Sequence, residues 1–492
     1  MAQNAVQEEH SVGRPGPSTL PVVIQGGMGV AVSSWQLARA VSITGQLGVV
    51  SGTALDVVLA RRLQDGDQDG DMRRALAHFP VPAMAERVLE RYFRAGGRAA
   101  DQPYKATPNL VIRPGVRTME LSVVANFAEV WLAKQGHDGL IGINFLEKIQ
   151  LATAAAAYGA MLAGVDYVLM GAGIPTKLPH LLDQLARHEP ARLDLHVDGA
   201  TQAYSVGLDP EVLTGGGLPP LRRPIFLAIV SAHVLAGYLA RADGTRPDGF
   251  VIEGPLAGGH NAPPRGRRVL DDTGQPVFSP RDDADVSAVA AIGLPFWLAG
   301  SYATPERVRE ARAQGAAGIQ VGTVFALSAE SGLTPQLRAT MLDKLAAGQL
   351  EVRTDALASP TGFPFKVASL PMTLSEAEVY AERSRMCDLG YLRLAYQRSP
   401  GVIGYRCPAE PVTDFVRKGG AAADSVGRKC LCNGLTATVG LGQARQDGYL
   451  EAPLATLGAD LTGAAQLLSR HPRGWSAAEA VGYLMDGDQP AG

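Results

Sequence analysis

Residues 296–323 read FWLAGSYATPERVREARAQGAAGIQVGT and contain one complete strand–helix–strand unit. The apolar runs FWLA and GIQV are typical of short parallel strands covered on both faces, and the stretch TPERVREARAQG between them carries helix-forming residues. A glycine follows each run, at Gly300 and Gly322, as expected where a chain turns tightly or approaches a ligand closely. The stretch predicts two neighbouring parallel strands joined by a helix.

The same alternation occurs along most of the chain, in eight apolar runs that are mostly followed by helical patterns. The predicted strands are residues 22–25, 47–51, 140–144, 167–170, 225–230, 250–253, 296–299 and 318–321. Eight strand-then-helix units predict an α/β fold, a (β/α)8 TIM barrel. A doubly wound open sheet with helices on both faces is the rival interpretation.

Two connections between predicted strands are too long for simple crossovers. Residues 65–137 are expected to form a mostly helical insertion, and residues 185–222 an insertion with a β excursion and a turn. Excursions of this kind often cover a site at a barrel mouth. The barrel domain is therefore predicted to span residues 19–332, with both insertions included.

The ends of the chain differ from the barrel in pattern. Residues 333–492 have no comparable strand alternation, and residues 375–397 and 477–487 read as helices. We expect this part to be a mainly helical C-terminal extension that acts as a lid. Residues 1–18 have the composition of a disordered tail.

Composition and charge narrow the class of protein. The 492 residues are 46% hydrophobic and carry a formal net charge of -3, with both signs scattered along the chain. This distribution gives no footprint for nucleic acid or an anionic membrane. No run of 18 apolar residues and no signal-peptide pattern is found, so we expect a cytoplasmic protein that acts on a small-molecule substrate.

The first and third predicted strands end in residues suited to a flat heterocycle. The first run ends in Gln25-Gly26-Gly27-Met28, where paired glycines let the backbone come close to a ring. The third ends in Asn144, whose amide can both donate and accept hydrogen bonds. In a TIM barrel the chemistry lies at these strand ends. An ordinary glycine turn and a helix cap are the alternatives.

The seventh and eighth strand ends indicate a phosphate site. They read Gly300-Ser301 and Gly322-Thr323, and each is followed by a helix start. Barrels commonly bind phosphate through these two loops, where small residues expose backbone N–H groups near a helix N-terminus. The pair predicts a cofactor that carries a phosphate.

The sixth strand end carries the candidate reactive group. It is followed by GPLAGGHN, in which Gly258 and Gly259 bring the chain close to the cofactor. His260 can then act as an acid, a base or a hydrogen-bond donor near neutral pH. Most histidines are structural, but the glycine-flanked strand end distinguishes His260, whereas His233 after the fifth strand is a weaker candidate.

All four cysteines, Cys387, Cys407, Cys430 and Cys432, lie within one short part of the predicted extension. Four thiolates would suit tetrahedral zinc or an iron–sulfur cluster, and such a site would hold the extension together. The spacing is not that of a standard zinc ribbon. Four unrelated buried thiols are the alternative.

Five motifs together resemble the nitronate monooxygenases, once called 2-nitropropane dioxygenases, and their FMN-type enoyl-reductase relatives. The motifs are IQGGMG at 24–29, GIN at 142–144, VIEGPLAGGHN at 251–261, LAGS at 298–301 and GIQVGT at 318–323. The likeness covers roughly residues 20–330 by order and context. This chain departs from the family pattern in its proline-rich GPLAGGHNAPPRG element and in the size of its insertions and C-terminal extension.

The resemblance implies a TIM barrel with non-covalently bound FMN and with His260 as the catalytic residue. The residues implied to bind FMN are Gln25, Gly26, Gly27, Met28, Asn144, Gly258, Gly259, Gly300, Ser301, Gly322 and Thr323. The implied reaction is oxidation of an alkyl nitronate with O2 to a carbonyl compound and nitrite. NAD(P)H-dependent reduction of an enoyl thioester, with a carrier protein as partner, is the alternative, and a flavin-bearing assembly component is a third.

Overall fold

The computed structural model of the chain describes residues 20–267 and 269–486, so the predicted tail over residues 1–18 lies outside the described residues. Its strands, in chain order, are β1 (Val23–Gln25), β2 (Gly48–Ser51), β3 (Ile141–Leu146), β4 (Tyr167–Gly171), β5 (Ala191–Leu195), β6 (Tyr204–Leu208), β7 (Ile225–Val230), β8 (Gly249–Glu253), β9 (Phe296–Ala299), β10 (Gly318–Val321), β11 (Val352–Asp355), β12 (Phe365–Ala368), β13 (Leu394–Ser399) and β14 (Val402–Arg406).

Its α-helices surround the strands or form the extension. In chain order they are α1 (Trp35–Ile43), α2 (Leu55–Gln64), α3 (Asp71–Leu76), α4 (Pro82–Tyr92), α5 (Val116–Lys134), α6 (Gln150–Leu162), α7 (Leu178–Ala186), α8 (Pro210–Thr214), α9 (His233–Ala240), α10 (Val286–Ala290), α11 (Pro305–Ala313), α12 (Thr323–Ala326), α13 (Pro335–Ala346), α14 (Ala377–Glu382), α15 (Val412–Arg417), α16 (Leu431–Ala437), α17 (Thr462–Arg470) and α18 (Ala477–Leu484).

Eight parallel strands form the barrel within the described residues, paired in the order β1, β10, β9, β8, β7, β4, β3, β2. The last and first strands also meet. The backbone N–H of Gln25 donates to the Leu47 carbonyl at 3.0 Å, and the Leu47 N–H donates to the Val23 carbonyl at 3.1 Å. The sheet therefore closes, which confirms the predicted (β/α)8 barrel and excludes the doubly wound open sheet.

The unit over residues 296–323 shows why the sequence folds in this way. Helix α11 begins where Thr304 accepts a hydrogen bond from the Arg307 N–H, with Pro305 in the first helical position. The helix ends before Gly315, whose φ of +87° is left-handed. The chain then enters β10, which pairs in parallel with β9.

Large side chains fill the barrel interior, as expected because alternate residues of each strand point inwards. The buried interior cluster consists of Ile24, Leu47, Val49, Tyr167, Leu169, Leu227, Val251, Trp297 and Ala299. The Trp297 indole N–H donates to the Pro21 carbonyl at 2.8 Å, so its one polar atom is paired. The interior is a packed core, which leaves the strand ends as the place for a ligand.

The two long connections contain different structures. Residues 65–137 hold α3, α4 and α5, and residues 185–222 hold an antiparallel hairpin of β5 and β6 together with α8. Helix α5 packs closely against α6. The searched helices of the described residues include none that is long and apolar enough to cross a membrane.

The C-terminal extension contains two hairpins, β11 with β12 and β13 with β14, in addition to its helices. The expected helix over residues 375–397 is wrong beyond Glu382, where α14 ends. Gly390 has a left-handed φ of +69°, which a continuing helix does not accommodate. The Arg385 guanidinium donates to the carbonyls of Glu410 and Pro408, so tertiary contacts determine the local conformation.

The packing of α5 on α6 gives a test of the fold. A Cβ on Gly159 in α6 would lie 2.1 Å from the Val123 carbonyl oxygen in α5. We expect Gly159→Ala to lower stability by about 1–3 kcal/mol or more, because backbone must move to relieve the overlap. Gly237→Ala in α9 is the control, since no described atom lies within 4 Å of its Cβ position. Thermal melting should fall only for Gly159→Ala, and equal melting temperatures would contradict this packing.

Candidate functional site

A cavity lies at the C-terminal ends of the barrel strands, with the extension forming its other wall. The residues that the extension contributes to the lining are Phe365, Tyr391, Leu392, Leu431, Cys432, Leu435, Thr456, Leu457, Gly458 and Asp460. Most of these side chains are apolar, so the extension excludes water from this wall. The site is therefore a barrel mouth closed by a separate part of the chain.

All of the site residues predicted from the barrel sequence, with the exception of Gln25, line this cavity. Those brought together are Gly26, Gly27, Met28, Asn144, Gly258, Gly259, His260, Gly300, Ser301, Gly322 and Thr323. They lie in β3 or in the loops that directly follow β1, β8, β9 and β10, which are distant from one another in sequence. Closure of the barrel is what gathers them at one end.

Gln25 and His233 lie elsewhere. The Gln25 side-chain carbonyl accepts from the Val49 N–H at 3.0 Å, and its amide donates to the Ser33 hydroxyl at 2.8 Å. Gln25 thus lies beneath the cavity and joins β1 to β2, and its expected contact with the cofactor stays a prediction. The His233 Nδ1 accepts from the Asp285 N–H at 3.1 Å, outside the cavity lining.

Three polar atoms at the cavity are buried and have no hydrogen-bond partner among the described residues. They are Asn144 Oδ1, Ser301 Oγ and Gln320 Oε1. An unpaired buried polar atom costs about 1–3 kcal/mol, so three around one cavity indicate that a polar ligand completes the pairing. The residues fit the edge of a heterocycle such as a flavin ring.

Glycine is required where the β1 loop faces this polar group. A Cβ on Gly27 would lie 2.4 Å from the Asn144 Cβ, and a Cβ on Gly26 would touch the Gln320 side chain at 3.4 Å. The backbone of both glycines therefore lies directly beside the two amides. Glycine at these two positions therefore makes room for the Asn144 and Gln320 side chains against the loop.

The loops after β9 and β10 lie side by side at the expected phosphate position. Gly300 and Ser301 have left-handed φ values of +82° and +73°, and for serine this conformation is strained. The Gly458 N–H of the extension donates to the Thr323 hydroxyl at 2.9 Å. Backbone strain held beside a cavity is typical of a ligand-binding loop.

The extension also fixes the loop that carries His260. The Gly259 N–H donates to the Thr456 hydroxyl at 2.9 Å, and the Lys366 N–H donates to the Gly259 carbonyl at 2.9 Å. A Cβ on Gly258 would lie 2.9 Å from the backbone carbon of Leu457. The two glycines permit this close contact between the barrel and the extension.

His260 is held as a neutral imidazole. Its Nε2 lies 2.7 Å from the Ser359 Oγ, and its ring packs edge-on against Phe365 with 4.9 Å between centroids. Burial, together with the positive charge of Lys148, lowers the pKa of His260 to about 3. His260 can polarise or orient a substrate through hydrogen bonds, but at neutral pH it holds no imidazolium proton.

The sequence did not identify three polar residues of the site. Gln320 interrupts the apolar run GIQV and Glu253 ends the apolar run FVIE, so a polar residue within or at the end of a strand was the available signal. Ser359 belongs to the extension and had no local signal. Its hydroxyl also lies 2.8 Å from the Thr361 hydroxyl, which extends the hydrogen-bond chain from His260.

The four cysteines lie in the described part of the extension. The neighbouring Cys407 thiol and burial raise the pKa of Cys387, and the neighbouring Cys432 thiol and burial raise the pKa of Cys430. All four are free cysteines. A search of the described residues finds no group of three or more Cys, His, Asp or Glu that could hold a metal ion. The described residues therefore give no support to the predicted zinc or iron–sulfur site.

No protein-family model and no curated protein matches the sequence. Solved structures that resemble the fold include FabK from Thermotoga maritima, 16% identical, with 95% of this chain and 92% of that chain covered and a TM-score of 0.47. Nitroalkane oxidase from Streptomyces ansochromogenes is 15% identical, with 95% of both chains covered and a TM-score of 0.45.

The enoyl reductase domain of MlnA from Bacillus amyloliquefaciens is 12% identical, with 72% of this chain and 64% of that chain covered and a TM-score of 0.37. Because the three TM-scores are below 0.5, the fold assignment rests on the strand pairing described above and not on the neighbours.

The buried state of His260 gives a pH prediction. We expect its ring nitrogens to show a neutral imidazole from about pH 8 to pH 5 in 15N NMR, with His260→Asn identifying the signal. The pKa of His260 is about 6.5 in the unfolded chain and about 3 in the folded protein. Folding stability is therefore lost as the pH falls from about 6.5 towards 3, because only the unfolded chain takes up the proton there. An imidazolium signal at pH 6 would contradict the burial of His260.

Proposed function

We propose that this protein is an FMN-dependent oxidoreductase that oxidises alkyl nitronates with O2 to a carbonyl compound and nitrite. The observation that carries the proposal is the group of unpaired polar atoms on Asn144, Ser301 and Gln320 at the glycine-walled barrel mouth. A flavin ring presents both donors and acceptors along one edge, and its ribityl phosphate suits the loops after the last two barrel strands.

Two groups of site residues would contact the two ends of an FMN molecule. The amides of Asn144 and Gln320, with the backbone of Gly26 and Gly27, would hold the ring. Backbone N–H groups of the Gly300–Ser301 and Gly322–Thr323 loops would hold the phosphate. Bound FMN would supply the electron transfer between nitronate and O2.

The remaining residues of the site would bind and orient the substrate. His260, neutral and fixed by Ser359, would offer a hydrogen bond to the nitro group. Burial lowers the pKa of Lys148 to about 8, so its ammonium is still largely charged at pH 7. This positive charge is close enough to contribute to the lowered pKa of His260. A nearby cation favours an anionic nitronate in a cavity from which the extension excludes water.

Reduction of an enoyl thioester by NAD(P)H is the second candidate. The observation that favours it is the apolar wall of Leu392, Leu431 and Leu435, which could receive an acyl chain. In that case a carrier protein would present the substrate. A flavin-bearing component that only recruits a partner is the third candidate.

The cofactor is tested by the flavin that the purified protein releases on denaturation. We expect FMN and not FAD, because the sequence has no GxGxxG dinucleotide motif beside the phosphate loops. Gly27→Ala should retain less FMN, since its Cβ would displace Asn144, whereas Gly237→Ala should retain as much as the wild type. Mass spectrometry identifies the flavin, and recovery of FAD or of no flavin after reconstitution would overturn the proposal.

The reaction is tested by anaerobic mixing of the yellow protein with an alkyl nitronate and, separately, with NADPH. We expect the nitronate to bleach the flavin absorbance. Bleaching by NADPH alone would replace the proposal with enoyl-thioester reduction. Bleaching by neither would favour the partner-recruiting component.

A further inference from the structure

The extension places a pair of cysteines at the wall of the cavity. Cys430 directly precedes α16 and Cys432 lies in the first turn of that helix, with Leu431 between them. Cys432 and Leu431 line the cavity. Both thiols are free, and both cysteines are partly buried. Neither the FMN contacts nor the substrate contacts proposed for this site use the pair.

The surroundings of Cys432 favour its thiolate form. The neighbouring Cys430 thiol lowers the pKa of Cys432, and the backbone N–H groups of Leu392 and Tyr391 lower it further, against the opposing effect of burial. The thiolate is the nucleophilic form of cysteine. Cys432 therefore combines a stabilised thiolate with a position that a molecule in the cavity can reach.

Cys430 is suited to act as the second thiol of the pair. The neighbouring Cys432 thiol and burial raise the pKa of Cys430, so it keeps its proton. The Asn433 side-chain amide donates to the Cys430 sulfur at 3.6 Å and to the Asp388 carboxylate at 2.8 Å, which holds this sulfur in place. Residues two apart have Cα atoms at most about 7 Å apart, close to the span of a disulfide.

The other two cysteines provide an internal reference. All four cysteines lie in the described part of the chain, and Cys432 is the one that lines the cavity. Cys407 is buried, with 5% of its surface exposed. The neighbouring Cys407 thiol and burial raise the pKa of Cys387, which favours the unreactive thiol there.

The form of the cavity indicates the class of molecule that can react with Cys432. The extension covers the barrel mouth with mostly apolar side chains, among them Leu392, Leu431 and Leu435. A small uncharged molecule enters such a space more readily than a charged or bulky one, because burying an unpaired charge is costly. Hydroperoxides are small and uncharged, and they oxidise thiolates to sulfenic acids.

We propose that Cys430 and Cys432 form a dithiol site that is oxidised to a disulfide by hydroperoxides entering the cavity. The Cys432 sulfur attacks one peroxide oxygen, so an S–O bond forms as the O–O bond breaks, and the other oxygen leaves as water or an alcohol with the proton that Cys432 gave up. The Cys430 sulfur then attacks the sulfenic sulfur, and the hydroxyl leaves as water with the Cys430 proton. Two electrons pass from the dithiol to the hydroperoxide, whichever reaction the cavity catalyses.

Peptide mapping of the purified full-length protein tests the site, because tryptic cleavage after Lys429 and Arg445 leaves both cysteines in one peptide. After the reduced protein has reacted with an equimolar amount of hydrogen peroxide, we expect this peptide to be lighter by two hydrogens. Dithiothreitol should reverse the change. Equally fast oxidation by glutathione disulfide, which is charged and bulky, would overturn the assignment to hydroperoxides.

Two serine variants separate the roles of the two thiols. Cys430→Ser should stop at a sulfenic acid on Cys432, which dimedone labels. Cys432→Ser should slow the oxidation of Cys430 at least ~10-fold, because a protonated thiol is a poor nucleophile. Cys387→Ser is the matched control and should form the disulfide at the wild-type rate. Melting temperatures show that each variant is folded, and the wild-type peptide map decides if one is not.

Three results would overturn the dithiol site. The first is a wild-type peptide that keeps both thiols after peroxide treatment. The second is oxidation of Cys387 or Cys407 before Cys432. The third is stoichiometric zinc or iron in the purified protein with all four thiols protected from alkylation, since a metal would then hold the sulfurs that the proposal requires to be free.

Discussion

Closure of the barrel between β1 and β2 depends on two side-chain amides as well as on backbone pairing. The Gln46 amide carbonyl accepts from the Val23 N–H at 2.8 Å, and the Gln25 amide carbonyl accepts from the Val49 N–H at 3.0 Å. These bonds pair strand N–H groups that would otherwise be unsatisfied at the seam. All eight strands are parallel and the sheet closes at this seam, so the C-terminal ends of the strands lie together at one mouth of the barrel.

The seam also positions the site. Gln25 donates to the Ser33 hydroxyl, which in turn donates to the Gly26 carbonyl at 2.9 Å and accepts from the Met28 N–H at 2.9 Å. The glycine loop is therefore shaped from below by residues that never reach the cavity. The resemblance assigned Gln25 to the flavin, and in this chain the Gln25 amide also holds the loop that would contact the flavin.

Much of the fold could be predicted because each barrel strand shows a local apolar run that ends in a glycine or a polar residue. The runs at 225–230, 296–299 and 318–321 coincide with β7, β9 and β10. The extension could not be predicted equally well, since its hairpins and the end of α14 depend on distant contacts such as those of Arg385. The cysteine spacing showed only that the four thiols are close in sequence.

Residues of the site were predictable where a glycine-rich or amide-bearing strand end marked them, whereas Gln320 and Glu253 of the barrel and Ser359 of the extension were missed. Strand ends marked Asn144, Ser301 and His260, but no pattern in the sequence could show that Ser359 lies 2.7 Å from His260. Protonation states were also out of reach. They follow from desolvation, which depends on how completely a remote segment covers the barrel mouth.

Cover by the extension leaves three ionisable groups, His260, Lys148 and Glu253, in a buried environment that shifts each of them towards its neutral form. It lowers the pKa of His260 and Lys148 and raises that of Glu253. The chemistry therefore depends on what keeps the extension in place. Tyr391, which lines the cavity, donates from its hydroxyl to buried Asp56 of α2.

A second buried contact joins the same helix to the extension. The Arg61 guanidinium of α2 donates to the Leu441 carbonyl at 2.5 Å. Arg445 of the extension pairs with Asp388 at 2.7 Å and also with Glu451, so these charges are satisfied within the interface. Opening this interface would rehydrate the cavity and return Glu253 and His260 towards their ordinary pKa values, so the polar contacts of α2 contribute to the acid–base properties of the site.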